Sequence, residues 1–188
     1  MLTAKQVAEY FLANQDEGTG ERIGNLKLQK LCYYAQGLSL AMHGYALFPD
    51  QIKAWDQGPV IPSVDHEYKG FYSIPVPTIK AETYPMWVRN VLDMVINTYG
   101  MQDGWTLREM THEENPWRSA YQKGQSAVIT HSALSAYFKE RIAFFQEGHS
   151  RPLDKNKVRD MLLADAELAK LTALGIEDFE AGRYQKLD

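Results

Sequence analysis

Asn25-Leu26-Lys27-Leu28-Gln29-Lys30-Leu31-Cys32-Tyr33-Tyr34-Ala35-Gln36-Gly37-Leu38 is the stretch that decides how the chain is read. Leu28, Leu31, Cys32, Ala35, Leu38 and Met42 recur at steps of three and four. That spacing stacks them on one face of a 3.6-residue period and predicts a helix whose apolar face is core. Asn25 offers a side-chain oxygen to the first free N–H groups, and Gly44, which tolerates the left-handed conformation, follows where the pattern ends. The other face carries Gln29, Lys30, Tyr33, Tyr34 and Gln36. Tyrosines beside amide groups read either as a second buried layer or as a surface for a partner.

Toward the N-terminus, Thr3 and Gln6 have the spacing of a capping box, with Leu2 and Val7 placed as a hydrophobic staple, so a first helix is predicted from Ala4. Toward the C-terminus the helical period breaks. Ile52 and Ala54 alternate with Lys53 and Trp55 as in a short strand, and Gln57-Gly58-Pro59-Val60-Ile61-Pro62 carries two prolines that stiffen the chain into an elbow. Pro62 suits the first turn of a short helix closed by Gly70. Pro75 and Pro77 then point to an extended connection. Helices are predicted from Pro85 to Tyr99, from Thr106 as cap, from Asn115-Pro116, and from Thr130 or Ser132 to about Gly148. The fold class expected is mainly α: a compact helical domain over 1–148 with a small β-hairpin or extended element, plus a charged helical C-terminal extension over 149–188.

The 188 residues, 45% of them apolar, suffice for a sizeable core. A net charge of −4 argues against a general polyanion binder, and the anchor helix offers only Lys27 and Lys30 to a groove, so nucleic acid is not an expected partner. The single cysteine, Cys32, lies on the apolar stripe, which excludes an internal disulfide and fits a reducing compartment. No secretory layout opens the chain and no apolar run approaches the roughly 20 residues that cross a bilayer, so a cytoplasmic protein is expected.

Four separated stretches stand out in order and spacing: Asn25 to Gln36; Ala54-Trp55-Asp56-Gln57-Gly58-Pro59-Val60-Ile61-Pro62; Tyr68-Lys69-Gly70; and Leu107 to Trp117, which contains Thr111-His112-Glu113-Glu114-Asn115-Pro116. Together they resemble the Panacea domain, a family of bacterial and phage antitoxins. The resemblance covers roughly residues 1 to 140. It implies neutralisation of a cognate toxin by direct protein–protein binding, with a homodimer or a larger toxin–antitoxin complex as the assemblies open to it, and it does not imply catalysis.

The residues agree on chemistry. Asp65-His66-Glu67 are consecutive on a predicted helix and point in different directions, Thr111-His112-Glu113-Glu114 lacks the second histidine of a zinc-protease motif, and Cys32 leaves no nucleophile at a surface. No catalytic residue, cofactor or metal is therefore expected. The alternatives are an adaptor that delivers its bound partner to a protease, and a small hydrolase or transferase using His112 with a nearby carboxylate. The expected protein-binding residues are Gln29, Lys30, Tyr33, Asp56, Gln57 and His112, read as the exposed polar set where the anchor helix, the elbow and the 111–117 loop meet. The competing account is that they hydrogen-bond those three stretches to one another.

Overall fold

Thr3 caps the first helix as its spacing requires: its hydroxyl accepts from the Gln6 amide while the Gln6 side chain takes the Thr3 N–H at 2.9 Å. The computed structural model describes residues 1–15 and 22–146. In chain order its elements are α1 (Ala4–Ala13), α2 (Asn25–Met42), β1 (Ile52–Trp55), β2 (Gly58–Val60), α3 (Pro62–Tyr68), a 3-10 turn (Ala81–Thr83), α4 (Met86–Tyr99), α5 (Gly104–His112), α6 (Asn115–Tyr121), β3 (Val128–Ile129) and α7 (His131–Gln146). The mainly helical class with a small hairpin is thus observed. The expected extension over 149–188 lies outside the described residues.

The anchor helix is the axis of the molecule. Helices α1, α4, α5 and α7 all pack on it, and every residue from Leu28 to Leu40 is buried. Its apolar stripe sits in the core as the period required, with Cys32 among its wholly buried residues. Its polar face is buried too, because other parts of the chain bring partners to it: Gln36 takes the Leu47 N–H and gives to the Phe48 carbonyl, each at 2.9 Å, and Ser39 gives to the Tyr45 carbonyl at 2.7 Å. Buried polar groups matched in this way cost little, whereas unmatched ones cost the full desolvation penalty.

Tertiary contacts also move two helix starts. Asn25 is the first helical residue and not the cap; its backbone N–H goes to the Phe71 carbonyl at 3.0 Å, and its side chain spans Asp65 and Gln29. For α5 the cap is Asp103, three residues before the expected Thr106, with its carboxylate taking the Trp105 and Thr106 N–H groups. Asp103 satisfies the first turn and Thr106 becomes its hydroxyl partner at 2.7 Å.

The three strands form one antiparallel sheet in the order β2-β1-β3. Lys53 pairs with Val60, Ala54 with Pro59 and Trp55 with Gly58, so Asp56 and Gln57 are the two loop residues of a hairpin. Gly58, at φ 94°, follows that turn in the left-handed region that favours glycine. Proline is tolerated in β2 because it is an edge strand. The elbow expected from the two prolines is therefore the second arm of the hairpin, laid against α2 and α5.

Candidate protein-binding site

The hairpin turn is pinned from outside by side chains of α5, α6 and the loop before β3. Arg108 of α5 donates from Nε to the Gln57 side chain at 2.8 Å and from a terminal nitrogen to the Asp56 carbonyl at 3.2 Å, and it is also paired with Glu109. The Asp56 carboxylate accepts from the Tyr121 hydroxyl at 2.8 Å and from the Gln125 amide at 2.7 Å. These bonds favour the ionised form and hold the Asp56 carboxyl below its usual range, Tyr121 contributing most. Two exposed residues that would be loose in an isolated hairpin are thereby held in one geometry.

Beneath the turn, aromatic rings support it. His112 stacks on Trp117 at 3.9 Å and 6°, and Trp117 stacks on Tyr121 at 4.7 Å and 18°, so the ring that holds Asp56 rests on two others. Trp117 also donates its indole N–H to the Trp55 carbonyl at 3.0 Å. His112 is half-buried, and its Nε2 has no hydrogen-bond partner. Burial, with the Arg108 charge nearby, lowers its pKa, which favours the neutral ring. On the outer side, Trp105 is 63% exposed and lies under the Arg108 guanidinium at 5.9 Å.

Behind the turn lie the three expected contact residues of α2, and here the expectation of exposure fails. Gln29, Lys30 and Tyr33 are buried. Gln29 accepts the Ile61 N–H at 2.8 Å, Lys30 donates to the Pro59 carbonyl at 3.1 Å, and Tyr33 donates to Glu114 at 2.7 Å. They tie α2 to the hairpin and to the start of α6, which is the competing account for this half of the set. Asp56 and Gln57 are exposed as expected, so only they and His112 can meet a partner from the resting fold.

Glu114 had no role in the sequence reading and proves central. Its carboxylate is buried, accepts from both Tyr33 and Tyr34, at 2.7 and 3.2 Å, and lies 3.8 Å from Arg141 of α7. Burial raises its pKa, while Arg141 and the two tyrosines oppose the rise. Tyr34 stacks in turn on Tyr99 of α4 at 3.9 Å, so four helices meet at one carboxylate. Arg108 and Trp105 were also missed. Their signal was helical spacing, since Trp105, Arg108 and His112 stand three and four residues apart, on one side of α5.

Among the described residues no group of three or more His, Cys, Asp or Glu side chains converges in a way that could hold a metal, and no helix is long and apolar enough to cross a membrane. The arrangement is that of a helical scaffold displaying a pinned polar turn beside an exposed tryptophan. Residues 28–118 match the family described as antitoxin SocA-like, Panacea domain. The match includes α2 from Leu28 onward, the whole hairpin, α5 and the first part of α6. No curated protein and no solved structure matched the chain.

Proposed function

We propose that the chain is the antitoxin of a bacterial or prophage toxin–antitoxin system and neutralises a cognate protein toxin in the cytoplasm by direct binding. The observation that carries this reading is the match of residues 28–118 to an antitoxin family. The surface proposed for the contact is the pinned turn, Asp56 and Gln57, with His112, Arg108 and Trp105 around it. A turn already held by Arg108, Tyr121 and Gln125 loses little conformational freedom on docking, and tryptophan and arginine are the residue types that dominate binding energy at interface centres. Gln29, Lys30 and Tyr33 serve this surface from behind.

The test uses the protein encoded beside this chain. Expressed alone it should arrest growth; expressed together with this chain it should be harmless and co-purify in a defined ratio. Trp105→Ala and Gln57→Ala should each weaken that complex at least tenfold with melting unchanged. A neighbour that is neither toxic nor retained by the chain overturns the antitoxin reading. Full affinity in both stable variants moves the contact away from the turn.

A further inference from the structure

Among the described residues, one cation on the buried face of α2 stands without an ion-pair partner. Lys30 is wholly buried, and its Nζ donates to the Pro59 carbonyl. A Cβ built on Gly58 would stand 3.2 Å from that nitrogen and 2.9 Å from the Thr111 hydroxyl, so the amine lies directly behind the turn, between α2, β2 and α5. Among the described residues no carboxylate comes within ion-pair distance of it. The charged and titratable groups around it are Arg108 and His112 of α5, Asp65 of α3, and Lys27 one turn earlier on its own helix. Asp65 is already engaged by the Asn25 amide at 2.7 Å, and β2 contributes no titratable side chain.

We propose that Lys30 is a positioning residue for the Asp56-Gln57 turn, and that uptake of a proton by Lys30 loosens the hairpin from α2. A neutral amine is content with one carbonyl in an apolar setting, but an ammonium carries three donors and a full charge and draws in water or a carboxylate. Burial, reinforced by the Arg108 charge and only partly offset by Asp65, brings the Lys30 pKa down to about 7, where the change of state falls near neutrality. The importance of the turn for a partner rests on the function proposed above; the latch itself does not.

The latch is read on the full chain alone. Side-chain carbon NMR of Lys30 should titrate with a midpoint near pH 7, and the Gly58, Val60 and Ile61 amides should shift with the same midpoint. Hydrogen exchange at those amides, corrected for intrinsic rates, should be several-fold less protected at pH 6 than at pH 8.5, with α4 amides unaffected. In Lys30→Met that difference should vanish. A Lys30 midpoint above pH 9, or the same pH dependence in Lys30→Met, overturns the proposal; should the variant fail to fold, discordant wild-type midpoints for Lys30 and the hairpin amides overturn it equally. If the latch is present and the affinity for the neighbouring protein is nonetheless independent of pH, the latch stands and the turn is not the contact surface.

Discussion

The ring of Phe138 lies against the backbone of Gly37: a Cβ added at Gly37 would stand 2.2 Å from Cε2 of that ring and 2.4 Å from Cδ2. The contact brings α7 close along α2 at the level of the tyrosine cluster. Phe138 cannot swing aside, because Tyr33, Tyr34 and Tyr137 all meet it edge-on. Gly37→Ala gains helix propensity of about 1 kcal/mol and loses more to overpacking, so a net destabilisation of roughly 1–3 kcal/mol is expected, read as a lower melting temperature. Unchanged melting would mean that α7 does not sit on α2 in this way.

Tyr33→Phe tests the Glu114 cluster. The substitution keeps the ring packing and removes the hydroxyl that donates to the buried carboxylate at 2.7 Å. A hydrogen bond to a charged buried acceptor contributes about 1.5–3 kcal/mol, and chemical denaturation should show a loss in that range. The Glu114 pKa, already raised by burial, should rise further, since one of the bonds that favours its ionised form is gone.

Lys30 makes stability depend on pH in a fixed direction. Its pKa falls from 10.5 in the unfolded chain to about 7 in the folded one, so between those values the unfolded chain holds a proton that the folded chain does not. Stability must then rise with pH across that window, with the penalty complete below 7. From pH 7 to 8.5 the gain should be about 1.5 kcal/mol, because one proton bound only by the unfolded chain makes stability climb by about 1.4 kcal/mol for each pH step of one. This interval lies above the depressed histidines, such as His43 at about 4, and below the ordinary range of the thiol, whose pKa burial raises. Lys30→Met should flatten the slope and be the more stable protein at pH 7; a wild-type curve that is flat from 7 to 8.5 contradicts the assignment.

Gly58→Ala addresses the turn. The residue has φ 94°, and its new methyl would meet the Thr111 hydroxyl at 2.9 Å and Lys30 Cε at 3.0 Å. Both backbone strain and crowding oppose it, for a loss of about 1–3 kcal/mol. The hairpin should open at its tip, seen as faster hydrogen exchange at Val60 and Ile61.

How far the sequence could be read depended on the range of the interaction. The capping box of Thr3 and Gln6 and the stripe from Leu28 to Leu38 are set by neighbours three and four residues away, and both appear as expected. The Panacea resemblance was likewise legible over the stretch that matches. The polar face of α2 was not, because residue type reveals that Lys30 and Gln29 need partners but not that Pro59 and Ile61, some thirty residues on, would bring a carbonyl and an N–H to them. The same limit applies to Asn25, displaced from its capping role by the Phe71 carbonyl, and to Glu114, whose two tyrosines lie about eighty residues back. Asp56 and Gln57 were expected at the surface as polar residues beside the elbow, and they are exposed there because they form the two-residue loop between β1 and β2.

The matched stretch ends at residue 118, yet the partner that closes the tyrosine cluster comes from beyond it, as Phe138 on Gly37 and Arg141 beside Glu114. Recognition and folding therefore have different footprints. A chain cut to the recognisable segment would keep the turn with Arg108 and Trp105, would lose the Tyr121 and Gln125 side chains that hold Asp56, and would lay bare Tyr33, Tyr34 and an uncompensated carboxylate. In such a chain the surface proposed for the toxin would compete with a second, stickier one, and any binding measured on it would report the wound as much as the function.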